Sequence, residues 1–354
     1  MSSSTRILDV KNFYVAYGYG EDAVQAVTDV SFTLEKGHVL GVAGESGSGK
    51  STLVYGLTRL LRAPGVITGG DVTLRLQSPD GERDFDMLAA SDADIRAVRW
   101  SHVSIVVQSA LNALNPMRKI GKEFDEVLRT HDPKSTKAQR RERSEELLGL
   151  VKLAPDRLQR FPHELSGGQR QRVMIAMALA LQPELVIMDE PTTALDVVTQ
   201  REIVSELHDL REKLGFALIF ITHDLSLLVE LADDIMVMYA GRIVERAPAL
   251  DLYRAPRHPY TLGLMDSFPP LQGERQVMTG IPGTPPNLKN LPTGCAFHPR
   301  CPYAMDRCRT EEPELMSLDN GERLVACWLH DPSSSAAVPV ALRHSPHGDQ
   351  QEQS

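Results

Sequence analysis

The run Gly44-Glu45-Ser46-Gly47-Ser48-Gly49-Lys50-Ser51 constrains this chain more than any other feature. It follows the apolar stretch Val39 to Ala43 and opens a helical pattern, the context in which a glycine-rich turn wraps a phosphate. Glycines let backbone N–H groups converge on an anion, and the start of the helix adds a favourable dipole. Lys50 is expected to reach the β- and γ-phosphates of a nucleotide. The Ser51 hydroxyl is expected at a magnesium ion, with Thr52 completing the nucleotide contacts. A glycine-rich turn with an exposed lysine is the plainer alternative, but it leaves the eight-residue pattern and its strand-to-helix setting unexplained.

Such a loop belongs to α/β architecture. Val39 to Ala43, Val103 to Val107, Leu185 to Met188 and Ala217 to Ile221 are short apolar runs rich in β-branched residues, as expected of buried parallel strands. Asp71 to Leu76, and Ile235 to Val244 broken at Ala240-Gly241, predict antiparallel material in an accessory β layer. From about residue 115 to 182 the strand signal disappears. Lys137 to Leu150 and Gln169 to Leu181 predict helices of an inserted helical subdomain, with the charged stretch Arg140 to Glu146 on its solvated face.

Leu185-Val186-Ile187-Met188-Asp189-Glu190 places two carboxylates just past a buried strand, where doubly wound sheets hold their ligands. Asp189 suits a magnesium shell. Glu190, one residue farther out, suits polarisation of the water that attacks a γ-phosphate. In a chain without the phosphate loop, the pair would read equally well as a solvated strand end. Leu165-Ser166-Gly167-Gly168-Gln169 then precedes a helix, and its serine and N–H groups fit a second γ-phosphate contact at a helix start.

The first two motifs alone describe a phosphate-loop NTPase, a class that includes kinases, helicases and GTPases. With Leu165 to Gln169 added, the chain from about Ile7 to Ala247 resembles the ABC ATPase family. The resemblance implies that Ser166, Gly167, Gly168 and Gln169 face ATP bound by a partner, so that two chains sandwich two nucleotides. It further implies that Gln108 is the Q-loop residue and a magnesium contact, and that Ala194-Leu195-Asp196 is the D-loop. His223 becomes the switch histidine at the γ-phosphate, and Tyr17 the aromatic stacked on adenine. Singly, Gln108 reads as a strand-end amide, His223 as a capping or core histidine and Tyr17 as a surface aromatic with Tyr14 and Tyr19 as rivals. Their joint order favours the family roles.

Beyond Gln108, the ending Leu114-Asn115-Pro116 looks like the oligopeptide, dipeptide and nickel importers. His258-Pro259-Tyr260, Ile281-Pro282-Gly283-Thr284-Pro285-Pro286 and the stretch from Gly294-Cys295 to Cys301-Pro302 resemble the carboxy-terminal extension of that subfamily. The expected domains are therefore a nucleotide-binding domain over 1–255, a loop-rich extension over 256–332 and a disordered tail over 333–354. The resemblance implies a heterodimer with a second ATPase, of which this is the first, two membrane permeases and an extracellular substrate-binding protein. Short peptides lead as cargo, with nickel and oligosaccharides as alternatives. A soluble ABC protein without permeases is the rival class, but one set of motifs and no sustained heptads count against it.

Cys295, Cys301, Cys308 and Cys327 are separated by five, six and eighteen residues within the extension. Four thiolates suit zinc or a [4Fe-4S] cluster. Some members of the subfamily carry the cluster at matching cysteines, so it is preferred, with zinc or unmetallated thiols as the alternatives. A net charge of −9 and the lack of a long basic run count against nucleic acid as a partner. Met1 to Val10 lacks a leader pattern, and no apolar run reaches the roughly 18 residues that span a bilayer. The expected place is peripheral, on the cytoplasmic face of the membrane.

Overall fold

The computed structural model describes residues 6–78, 81–108, 114–193, 195–267, 280–334 and 336–343. In chain order the elements are β1 (Arg6–Tyr17), β2 (Val24–Glu35), β3 (Val39–Ala43), α1 (Lys50–Leu57), β4 (Gly65–Ser78), β5 (Gly81–Asp86), α2 (Asp92–Val98) and β6 (Val103–Val106). There follow α3 (Ile120–His131), α4 (Lys137–Leu150), α5 (Gly167–Ala178), β7 (Leu185–Asp189), α6 (Val197–Leu214), β8 (Ala217–Ile221), α7 (Leu225–Leu231), β9 (Asp234–Tyr239) and β10 (Arg242–Pro248). The last elements are α8 (Ala249–Arg254), α9 (Pro259–Asp266), α10 (Asp306–Thr310), β11 (Met316–Leu318) and β12 (Arg323–Val325).

The chain divides into two compact units. One holds residues up to Asp9, Thr33–Val39 and Thr73–Ile221; the other holds Val10–Phe32, Leu40–Val72 and the residues from Thr222 on. This division does not follow the expected boundary at residue 255. Strands β1, β2 and β4 each contribute to both units and pair in the order β2-β1-β4-β5.

In the first unit β6, β7 and β8 are parallel, with Ile105 opposite Ile187 and Ile187 opposite Ile219. Every residue of β7 and β8 is buried, which is why both read as continuous apolar runs rather than alternating ones. Each fully buried Val, Leu or Ile contributes about 1.5–3 kcal/mol relative to exposure. The inserted helices obey the other period. Ile120, Phe124 and Leu128 repeat every four residues along α3, and this stripe is buried where α3 packs on α4 and α5.

In the second unit the strand order is β11-β12-β10-β9-β3. β9 runs parallel to β3, with Gly41 opposite Ile235, and antiparallel to β10. The expectation that Ile235 to Val244 belongs to an accessory layer is therefore corrected. The turn at Ala240-Gly241 does make a hairpin, but its first strand joins the parallel strand β3. An apolar strand looks the same in sequence whichever neighbour it pairs with. The extension continues this sheet, since β12 pairs antiparallel with β10. Leu342, inside the segment expected to be a disordered tail, is fully buried against a cluster that includes Leu262, Val325, Cys327 and Leu329. Ala336, Val338 and Ala341 pack partly buried against the same cluster, and residues 335 and 344–354 of the tail lie outside the described residues.

Candidate functional site

In the second unit the phosphate loop joins the buried end of β3 to α1. Gly44 has φ 146°, and a Cβ there would stand 2.3 Å from the Met238 carbonyl oxygen; Gly49 has φ 103°, and a Cβ would meet the Ala26 oxygen at 2.5 Å. Both positions exclude a side chain. Gly49 is also the N-cap of α1, where no side chain caps the helix. Lys50 is 4% exposed, and its Nζ donates to the carbonyls of Gly44 at 2.7 Å and Glu45 at 2.9 Å. Turning those carbonyls toward the ammonium favours the opposite face of the loop for N–H groups.

The Ser48 hydroxyl is buried and has no hydrogen-bond partner among the described residues. A buried orphan of that kind costs about 1–3 kcal/mol unless a ligand or water completes it. The loop therefore fits a phosphate. Tyr17, at the end of β1, places its hydroxyl 3.3 Å from Thr52 Oγ1, beside the first turn of α1, whereas Tyr19 is exposed. His223 is exposed and lies just after β8, ahead of α7.

In the first unit Asp189 ends β7 and is fully buried. Glu190 follows with φ 47° and donates its N–H to the Ile221 carbonyl at 2.9 Å. Its carboxylate accepts from Gln108 Nε2 at 2.7 Å, and the single hydroxyl proton of Thr193 is shared between that carboxylate at 3.2 Å and the Glu190 carbonyl at 3.1 Å. Gln108 and Glu190 are thus brought together. Thr193 was not a sequence candidate; its signal was only its place three residues after Glu190, where a hydroxyl can turn back onto strand-end groups. Ser51, Gln108 and Asp189 carry the hard oxygen donors magnesium takes.

Ser166 is the N-cap of α5. Its Oγ accepts from the Gln169 N–H at 3.3 Å, and Gln169 Oε1 accepts from the Ser166 N–H at 3.2 Å. This capping box leaves the Ser166 hydroxyl proton available to donate to an anion. A Cβ at Gly168 would stand 2.7 Å from Thr199 Cγ2, so any side chain there would have to displace Thr199. Asp196 caps α6 in the same way, accepting from the Thr199 N–H at 3.0 Å, and that hydrogen bond lowers its pKa. Ala194 of the expected D-loop lies outside the described residues, as do residues 109–113 after Gln108.

The four cysteines form no disulfide. Burial pushes the Cys295 thiol up to about 11 and the Cys301 thiol up to about 12, and raises Cys327 as well, with the other cysteines adding repulsion. The thiols therefore lie within electrostatic reach of one another. Even so, among the described residues no group of three or more His, Cys, Asp or Glu is placed to hold a metal ion. The expected [4Fe-4S] cluster therefore finds no support in this geometry. Among the described residues no helix is long and apolar enough to cross a membrane.

Comparison with known proteins joins these observations. Residues 27–193 match the ABC transporter family, and residues 244–308 match the carboxy-terminal region of oligopeptide/dipeptide transporters. The chain is 42% identical to the oligopeptide transport ATP-binding protein OppD of Haemophilus influenzae, covering 91% of this chain and 97% of that protein. It is 38% identical to the dipeptide transport ATP-binding protein DppD of Caldanaerobacter subterraneus, over 92% and 97% of the two chains. A solved dimeric ATP-binding cassette in a post-hydrolysis state with ADP and Pi superposes with a TM-score of 0.58 at 27% identity, covering 69% of this chain and 99% of that one. The phosphate loop, the strand-end carboxylates, the capped Ser166 helix and the second matched region together place this chain in the family of ABC transporter ATP-binding proteins of the oligopeptide/dipeptide type.

Proposed function

We propose that this chain is the ATP-hydrolysing subunit of an ABC importer and couples Mg-ATP binding and hydrolysis to uptake of dipeptides and oligopeptides. The observation that carries the hydrolytic part is Glu190, a carboxylate at the end of a buried strand, aimed by Gln108 and Thr193. The cargo class rests on the relatives, whose names specify oligopeptide and dipeptide transport.

In this reading Lys50 leaves its loop carbonyls for the β- and γ-phosphates, and the N–H groups of Gly44 to Thr52 surround them. Tyr17 stacks on the adenine. Ser51, Gln108 and Asp189 hold magnesium, which supplies charge neutralisation at the phosphates. Gln108 can do this through Oε1 while its Nε2 stays on Glu190. Glu190 orients the attacking water, and His223 stabilises charge on the γ-phosphate. Ser166 to Gln169 and Asp196 face the nucleotide of a second, homologous ATPase. Two permeases and an extracellular binding protein complete the importer, with this chain at the cytoplasmic face of the membrane.

The test is uptake of a labelled tripeptide by cells carrying the intact chain or Glu190→Gln, with nickel and an oligosaccharide in parallel. Glu190→Gln is expected to cut ATP turnover by about 10²–10⁴-fold, and peptide uptake with it. Unchanged peptide uptake alongside failed entry of another cargo would overturn the peptide assignment and leave the ATPase standing. Iron, sulfide and zinc analysis of the anaerobically purified chain decides the cysteine module separately, since about four irons per chain would restore the cluster.

A further inference from the structure

We propose that Arg300, in the carboxy-terminal extension, is a positioning residue for nucleotide binding: by clamping Glu45 it neutralises and orients the phosphate loop. The proposal rests on the reading of Gly44 to Ser51 as the loop that receives the nucleotide's phosphates.

Glu45 is tied at each of its polar groups. Its N–H donates to the Tyr260 hydroxyl at 2.7 Å, and its carbonyl accepts from Lys50 Nζ at 2.9 Å. Its carboxylate takes both arms of the Arg300 fork, at 2.6 Å and 2.9 Å. Two of these three ties come from the extension, 215 and 255 residues away in sequence. A two-armed guanidinium–carboxylate pair fixes orientation as well as distance, unlike a point contact.

The clamp is itself rigidly seated. Arg300 is 7% exposed, and its Nε donates to the Pro282 carbonyl at 2.8 Å. Its guanidinium lies 5.9 Å from the Tyr239 ring and 6.0 Å from the Phe297 ring. Tyr260 is fully buried, with its ring 4.5 Å from Tyr239 and 5.3 Å from Phe297. These contacts tie the clamp to the extension, so loop position is coupled to the fold of the extension.

Electrostatics make the pairing matter for function. An unpaired carboxylate within a phosphate loop repels a polyanionic nucleotide, and partial burial weakens the screening that water would supply. Paired with Arg300, Glu45 presents no net charge while still fixing the backbone between Gly44 and Ser46. The same loop is thus open to an anion at its N–H groups and held in place at its second residue.

The experiment is equilibrium binding of trinitrophenyl-ATP with magnesium to the full chain, read by fluorescence, with thermal melting recorded for each variant. Lys50→Ala tests the underlying reading and is expected to abolish binding. Arg300→Ala is expected to weaken binding on the order of tenfold or more, the effect of stripping one partner from a desolvated charge pair. Glu45→Gln combined with Arg300→Ala is expected to recover most of that loss, which a merely structural role for Arg300 would not produce. If Arg300→Ala melts below the assay temperature, Arg300→Lys decides, because it keeps the charge but not the fork and is expected to bind severalfold more weakly than the unchanged chain. Wild-type binding by a folded Arg300→Ala or Arg300→Lys, with Lys50→Ala inactive, would overturn the clamp alone. Failure of the double substitution to recover binding would likewise overturn it. Wild-type binding by Lys50→Ala would overturn the loop reading itself.

Discussion

The phosphate loop and the Ser166 helix start are both proposed to meet phosphate, yet they are finished in opposite ways. At α1 the N-cap is Gly49, with no capping side chain, and the loop carbonyls of Gly44 and Glu45 are taken by Lys50. At α5 the N-cap is Ser166 in a complete capping box, and at α6 it is Asp196 bound to Thr199. One helix start is left to be completed by an anion; the others are satisfied by their own side chains. The difference teaches that the loop's shape is held by glycine geometry and by distant tethers. The signature helix, by contrast, is locally stable and can offer a hydroxyl proton without depending on a nucleotide for its fold.

The comparison breaks most sharply at Gly49. Gly49→Ala places a methyl 2.5 Å from the Ala26 oxygen at a φ of 103°, and strain of this kind costs about 1–3 kcal/mol. Urea unfolding is expected to show that loss, together with failure to bind trinitrophenyl-ATP. Full binding at unchanged stability would mean that the loop does not need its left-handed turn.

Ser166 separates capping from nucleotide contact. Ser166→Ala is expected to lower stability by about 0.5–2 kcal/mol through the lost cap. Ser166→Asp keeps the cap but sets a carboxylate where phosphate is expected. Melting near the unchanged chain, with ATP turnover of the assembled transporter abolished, would assign Ser166 to nucleotide; retained turnover would confine it to capping. The smallest effect is expected at Thr193. Thr193→Val removes one hydrogen bond to Glu190, worth about 0.5–1.5 kcal/mol, so turnover should fall severalfold while nucleotide affinity holds. Loss of affinity instead would show that Thr193 shapes the binding loops rather than aiming Glu190.

Much of the site was legible because its chemistry is written in short windows. Gly44 to Ser51, Asp189-Glu190 and Leu165 to Gln169 each carry turn, helix-start and ligand information within eight residues, and the structure places each where a strand ends or a helix begins. The long strands β1 and β2 went unread. The burial of β1 is irregular from Arg6 to Tyr17, so neither clean alternation nor a continuous apolar run marks it, whereas β2 does alternate from Val30 to Glu35, a six-residue signal at the end of a longer strand. Thr193 escaped for a related reason: a hydroxyl that turns back onto Glu190 looks like any loop threonine.

By itself the sequence determined the parallel strands β3, β6, β7 and β8, the inserted helices, the phosphate loop and the carboxylate pair. Each follows from local periodicity or from a motif whose residues are neighbours in the chain. Only the tertiary structure decided that β9 lies parallel beside β3, that β12 extends the sheet through β10, that Leu342 packs into a core, and that Arg300 reaches Glu45. These are pairings across tens to hundreds of residues, and no sequence window contains both partners. Their energy appears only when burial and hydrogen bonding at a distant surface outweigh the chain entropy of bringing the two segments together.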